Sequence, residues 1–443
     1  GVKKMEKLFK LQEKGTTVGR EIVAGITTFL AMAYILAVNP GMLGSIGNGM
    51  TFGAVFTATA IASALATLVM AFWANLPVAL APGMGLNAFF TFTVCFQMGC
   101  SWQLALTAVF VEGIIFIILS LFGIREKIIN AIPAGMKKAV AVGIGLFIAL
   151  IGLSNAGVVT SNLATGGTVI EFVNLNIANK TALVAIIGLV LTIVLYLLKV
   201  PGAILLSIIV TTIIGIPFGV TAIPEGWKPF SLPAAPLFCK FDWSGVFSIK
   251  FFVIMFTFLF TDLFDTIGTL MGVTQQAGLV DKEGNIPNAK QALMADSIGT
   301  VVGACLGTST VTSYVESSSG VAAGGRTGLT SLTTGVLFLL ALFMTPLFAL
   351  VPSAATAPAL IFVGFLMMQQ ILGINFEDPT EGIPAFITII VMPFAYSISK
   401  GIAFGMIAYV ISKCAGKKVK EIPAATWVLA AIFVADIIFE AVK

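Results

Sequence analysis

The sequence predicts an all-α protein that crosses a membrane many times. Three observations carry this reading. Of 443 residues, 58% are hydrophobic and 10% charged, whereas soluble domains average about 25% charged. Apolar runs recur from near residue 22 to near residue 441, leaving no room for a sizeable soluble domain. The run 251–273, FFVIMFTFLFTDLFDTIGTLMGV, has Asp262 and Asp265 as its only charges and is long enough to cross a bilayer, which takes about 20 residues. A carboxylate at the centre of a membrane helix costs roughly 2.5–3.5 kcal/mol, so a chain that keeps two has a use for them.

Composition also excludes. The formal net charge of +4 does not point to nucleic acid; the basic residues read as topology signals. The five cysteines (Cys95, Cys100, Cys239, Cys305, Cys414) form no CxxC pair and histidine is absent. A zinc site is therefore not expected, disulfides are not suggested, and no cofactor is called for.

The spans follow in order. Residues 1–21 are basic (Lys3, Lys4, Lys7, Lys10, Lys14, Arg20) and lead straight into an apolar run without a cleavable signal, which predicts a cytoplasmic N-terminus. Spans are expected at 22–39, 52–74, 78–97, 102–123, 134–155, 181–198 and 201–219, then at 249–272, 289–306, 308–324, 328–350, 354–373, 382–397 and 400–414. With the N-terminus inside, Arg125, Lys127, Lys137, Lys138, Lys199, Arg326, Lys413, Lys417, Lys418 and Lys420 all fall inside, while the loops near 40–51, 97–101 and 155–179 carry no Lys or Arg. Loop 220–248 goes against the pattern by placing Lys228 and Lys240 outside. Seven spans per half invert the second half relative to the first, as in secondary transporters. An internal echo supports this: ATAIASALATLVMA (58–71) runs into VALAPGMGLNAFF (78–90), and ALMADSIGTVVGACLG (292–307) into TSTVTSYVESSSGVAAGG (308–325). The last apolar segment, 424–441, is expected to lie at the cytoplasmic interface.

Three segments carry chemistry. In Ala81-Pro82-Gly83-Met84-Gly85-Leu86-Asn87, one proline and two glycines loosen the helix. Such a break is tolerated in a membrane only where it is buried in protein or lines a cavity. A half-helix starting near Gly85 aims free N–H groups at that cavity, and Asn87 can donate and accept; the plain alternative is a packing kink. In Thr310–Gly325, Glu316 precedes Ser317, Ser318, Ser319 and Gly320. Its carboxylate is expected to accept from a ligand N–H and the backbone after it to donate; the alternative is a loop misread as a span. Arg326 reads as an anchor at the cytoplasmic end. Asp262 and Asp265, three apart, share a helical face and are expected to titrate as a coupled pair, since like charges cannot both ionise cheaply in low dielectric. The alternative is a structural hydrogen-bond network, which is the favoured role for Asp296 and Glu112. Phe89, Phe90, Phe260 and Phe264 flank these segments and offer ring faces to a flat ligand, although 36 phenylalanines make packing the default.

APGMGLNAFF, FTDLFDTIGTLMGV, TSYVESSSGVAAGGRTGLT and the N-terminal GTTVGREIVAGITTFLAMAYILAVNP resemble the signature segments of the AzgA-like purine permeases. These form a branch of the nucleobase–cation symporter-2 (nucleobase–ascorbate transporter) family. The resemblance covers nearly the whole chain. It implies about fourteen transmembrane segments as two inverted repeats of seven, with segments 3 and 10 half strand and half helix. The implied division is a cytoplasmic N-terminus (1–21), a core domain (22–123 and 249–351), a gate domain (124–248, with an outer loop, and 352–416) and a C-terminal apolar helix (417–443). Substrate contacts would be Gly85, Asn87, Asp262, Asp265 and Glu316, with Asp262, Asp265 and Glu316 coupling protons; beside them, Phe89, Phe264, Ser317 and Ser318 are also expected to contact the substrate. The wider family has Glu in an E-S-I-G context where this chain has Asp265 in D-T-I-G, and a Q/E-N-x-G motif where it reads Ser317-Ser318-Ser319-Gly320, so the acid comes from Glu316.

The implied protein is no enzyme but a cell-membrane importer of purine bases, hypoxanthine or guanine before adenine. It is driven by protons rather than Na⁺ and expected to form homodimers in the bilayer. Protonating one aspartate would adjust the site for a neutral base. An anion carrier of the same architecture is the alternative, although its site should favour basic residues over three carboxylates. An intramembrane aspartyl protease needs its aspartates on different helices, and a channel needs repeated pore-lining rings; neither pattern is present.

Overall fold

The computed structural model describes residues 2–123, 133–160, 170–173, 179–280 and 286–442. Arg125 and Lys127, used above for orientation, lie outside the described residues, and so does the Phe264 side chain.

Helices follow the apolar runs. Segment 1 is Val18–Met32 and Ile35–Gly44, segment 2 Phe52–Val69 continued by Met70–Ala74, and segment 4 Trp102–Leu121. Segments 5, 6 and 7 are Ala134–Asn155, Lys180–Leu197 and Ala203–Gly215. Segments 8 and 9 are Ile249–Gln276 and Ala289–Leu306, and segment 11 is Gly328–Ala341. Segments 12, 13 and 14 are Ser353–Met368, Pro379–Phe394 and Ile398–Ala415. Among the described residues, nine helical stretches are long and apolar enough to cross a bilayer on their own. Several starts are legible locally, because Thr17, Thr51, Ser101, Ser248, Thr327, Asp378 and Ser397 accept main-chain N–H bonds as N-caps.

Segments 3 and 10 differ from the rest. Segment 3 is a strand, β1 (Leu80–Pro82), followed by the helical turns Met84–Ala88 and Phe89–Gln97. Segment 10 is a strand, β2 (Val311–Ser313), followed by the short helix Ser317–Ala322. The strands pair antiparallel, Leu80 opposite Ser313, Ala81 opposite Thr312 and Pro82 opposite Val311. Main-chain bonds from Tyr314 N–H to Ala79 O (2.9 Å) and Gly83 N–H to Thr310 O (3.0 Å) extend the ladder. A two-stranded ladder leaves its outer edges unpaired, and here side chains of both repeats close them. Thr67 of segment 2 bonds Leu80 N–H (3.0 Å), and Thr300 of segment 9 donates to Val311 O (2.9 Å).

Segments 1–4 pack chiefly with segments 8–11, and segments 5–7 chiefly with 12–14. Small residues permit this, as expected where backbones approach closely in lipid. A Cβ on Gly145 would meet Gly364 O at 2.8 Å between segments 5 and 12, and one on Gly113 would meet Val301 at 2.7 Å between segments 4 and 9.

Two features add detail that the apolar runs alone do not give. Segment 1 is interrupted at Ala33 and Tyr34, a break the apolar run conceals. The terminal helix Ala424–Val442, expected at the interface, packs on segments 14 and 8, where its buried Phe433 lies 6.1 Å from the ring of Phe256.

Candidate functional site

The breaks of segments 1, 3 and 10 converge beside segment 8. Gly83 lies where the chain passes from β1 into the helix of segment 3. Its Cβ would meet Thr312 Cγ2 at 2.6 Å, so only glycine fits against β2, and Asp265 Oδ2 lies 3.7 Å from the same point. The first helical bond of this half-segment runs from Asn87 N–H to Gly83 O (2.8 Å). The N–H groups of Met84, Gly85 and Leu86 thus precede it, and such groups have no partner within their own helix.

Segment 10 differs. The N–H groups of Ser317, Ser318 and Ser319 bond back to the carbonyls of Tyr314, Val315 and Glu316 at 3.1, 2.9 and 2.9 Å. The main-chain donors after Glu316, expected to face a ligand, are thus engaged within tight turns. Glu316 itself is half-buried, and Tyr34 donates to its Oε1 at 2.6 Å. Tyr314 donates to Pro82 O at 2.5 Å.

The two aspartates of segment 8 part company. Asp265 is half-buried and has no hydrogen-bond partner among the described residues; Glu316 and Asp296 are charged neighbours. Asp262 is fully buried, with the Thr266 hydroxyl 3.3 Å from its Oδ1. That hydroxyl also lies 2.7 Å from Asp296 Oδ1 and 2.7 Å from Thr312 Oγ1. Thr266 thus links Asp262 of segment 8 to Asp296 of segment 9, while Asp265 has Glu316 of segment 10 as a charged neighbour.

Several expected contacts have protein partners. Asn87 is fully buried, bonds Pro82 O through Nδ2 at 3.3 Å and accepts the Ser309 hydroxyl on Oδ1. Ser317 is buried and accepts Ala79 N–H at 3.0 Å. Phe89 is buried edge-on against Phe258 of segment 8, ring centroids 4.8 Å apart, with Phe90 beside the same ring and Phe260 packed on Phe256. A Cβ on Gly85 would meet Ile144 of segment 5 at 2.7 Å, so its missing side chain serves helix contact and only its main chain is left for the site. Ser318 is half-buried, and its carbonyl accepts from Gln276 Nε2 at 3.5 Å. Glu112 accepts the Thr310 hydroxyl at 2.9 Å, the structural role expected of it.

Away from the centre, acids meet lysines. Lys413 lies 2.6 Å from Glu381 and 2.7 Å from Glu421. Lys418, aided by Thr380, holds the Asp378 carboxyl down to about 2. Arg326 donates to Val321 O and Gly325 O at 2.7 and 2.6 Å, closing the end of the segment 10 helix.

The sequence reading missed Tyr34, Tyr314 and Thr266. A signal existed for the first two. The chain has five tyrosines against 36 phenylalanines, so a hydroxyl kept inside an apolar run asks for a partner.

The family model described as a permease family matches residues 19–404. The guanine/hypoxanthine permease PbuG of Bacillus subtilis is 46% identical over 98% of this chain and 100% of its own length. The adenine permease AdeP of Escherichia coli is 42% identical over 98% of this chain and 96% of its own. Among solved structures, the transmembrane domain of the cyanobacterial bicarbonate transporter BicA matches 87% of this chain and 97% of its own with a TM-score of 0.63. At 15% identity that likeness shows the fold alone: two inverted repeats of seven segments.

Proposed function

The chain belongs to the permease family, and on that premise we propose that it is a proton-coupled importer of purine bases, hypoxanthine or guanine before adenine. One observation carries the reading. The Asp265 carboxylate, with no protein partner among the described residues, lies beside Glu316 and faces the Gly83–Leu86 break. Relatives named for guanine, hypoxanthine and adenine support a purine cargo.

A 6-oxopurine offers N–H donors at N1 and N9 and acceptors at O6, N7 and N3. Asp265 and Glu316 Oε2 take the donors, while the N–H groups of Met84, Gly85 and Leu86 take an acceptor. Tyr34, by occupying Glu316 Oε1, fixes which oxygen remains for the base. Ser318 lines the edge, and Asn87, Ser317 and Phe89 support the site from behind. Asp262 and Asp296 share a hydroxyl in a dry environment, where two like charges are costly together, and Asp262 is therefore the preferred proton carrier, with Asp265 and Glu316 sensing it. Segments 1–4 with 8–11 act as the core and segments 5–7 with 12–14 as the gate against which it rocks. The protein works in the cell membrane with its N-terminus in the cytoplasm, as a homodimer.

An anion cargo remains the competing reading, favoured only by the fold shared with BicA. Uptake into proteoliposomes, with hypoxanthine, guanine, adenine, uracil and sulfate as competitors, separates the two. Purines alone should compete, and an inward proton gradient should accelerate uptake. Indifference to that gradient sinks the coupling, and competition by sulfate or by uracil alone sinks the purine assignment.

A further inference from the structure

The connection between segments 7 and 8 forms a strap over one end of the bundle. Trp227 Nε1 bonds Pro346 O (3.1 Å), and Ser231 N–H bonds Phe343 O (3.0 Å), both beyond segment 11. Further on, Asp242 N–H bonds Thr107 Oγ1 of segment 4 (2.9 Å), and Phe241 packs on Phe110 with centroids 4.8 Å apart. Between these anchors the strap runs along the end of segment 9, with Leu237 N–H bonded to Leu306 O (3.0 Å) and Cys239 N–H to Cys305 O (2.7 Å). A direct main-chain bond between two cysteines brings their α-carbons to roughly the 4.4–6.8 Å that a disulfide spans. Cys239 is exposed and Cys305 half-buried.

We propose that Cys239 and Cys305 form a disulfide that fastens the strap to segment 9 on the outer face of the membrane. The outward placement rests on the cytoplasmic N-terminus proposed above; the pairing does not. Outside the cell, unlike the cytosol, disulfides persist. The oxidant is a small-molecule disulfide such as oxidised glutathione. The exposed Cys239 thiolate attacks one of its sulfurs and expels a thiolate, giving a mixed disulfide. The Cys305 thiolate then attacks the Cys239 sulfur, forms the bond and expels the second small thiol. The protein gives up two electrons and two protons, and the small disulfide becomes two thiols.

The test treats the full-length reconstituted protein with oxidised glutathione, alkylates the remaining thiols and maps peptides by mass spectrometry. A peptide linked through Cys239 and Cys305 is expected, reversed by dithiothreitol and absent in Cys239→Ser and Cys305→Ser. The unfolding temperature of the unsubstituted protein should rise by a few degrees on oxidation, with no rise in either variant. Full alkylation of both cysteines after oxidation, or a link confined to Cys95 and Cys100 or to a second chain, overturns the pairing. A membrane-impermeant maleimide should reach reduced Cys239 in intact cells. Labelling only in opened cells overturns the outward placement, a failure distinct from that of purine transport.

Discussion

Segments 3 and 10 hold equivalent places in the two repeats, and each breaks where its strand meets its helix, yet the breaks carry opposite chemistry. Segment 3 breaks at Pro82-Gly83, without a charge, and the N–H groups of Met84 to Leu86 precede its first helical bond. Segment 10 breaks at Glu316, and the N–H groups that follow are tied back in tight turns. One half therefore offers donors and the other an acceptor. The backbone is symmetric because every main-chain polar group away from water needs a partner on both sides of the pseudo-axis, a need that Thr67 and Thr300 meet alike. Side chains are under no such constraint. Asymmetry at a symmetric crossing suits a planar ligand with donors on one edge and acceptors on another, whereas a small anion would be better held by two donor halves.

The contrast is broken most severely at Glu316. Glu316→Gln puts a donor into the acceptor half, and the lost charged hydrogen bond, about 1.5–3 kcal/mol, corresponds to a KM for purine uptake raised about 10–150-fold. A change under about threefold in proteoliposome uptake would remove the acceptor assignment. Tyr34→Phe should act through the same carboxylate and raise KM about tenfold with Vmax nearly kept; loss of Vmax alone would make Tyr34 a packing residue. Gly83→Ala attacks the donor half, because its Cβ would meet Thr312 Cγ2 at 2.6 Å. Overpacking of this kind costs roughly 1–3 kcal/mol, so the unfolding temperature in detergent should fall, and an unchanged value would show that the strands separate freely there. The smallest effect on binding is expected at Asp262, behind both halves. Asp262→Asn should shift KM by less than about threefold while abolishing acceleration by a proton gradient. Binding loss as large as that of Asp265→Asn would erase the division between the two acids.

Much of the fold was legible because its signals are local. An apolar run long enough to span, a proline beside glycines, and serines behind a glutamate are each read within a few residues. The internal echo between 58–90 and 292–325 was visible for the same reason. Of the proposed site, the acids stand out in the sequence: Asp265 and Glu316 are conspicuous as carboxylates inside apolar runs, whereas Asn87, Ser317 and Phe89 have the same residue types whether they face a ligand or brace a strand. Their bonding to Ser309, Ala79 and Phe258 settles their surroundings in the fold.

By itself the sequence determined a membrane protein of two inverted sets of seven segments, with breaks in segments 3 and 10 and acids within segments 8 and 10, because hydrophobicity and helix-breaking act over short stretches of chain. Only the tertiary structure decided which groups meet. It brought Tyr34 to Glu316 across 282 residues and joined Asp262 to Asp296 through Thr266, leaving Asp265 beside Glu316. The neighbours of a buried polar group come from other segments, and their identity depends on how the two repeats cross, which no local pattern encodes.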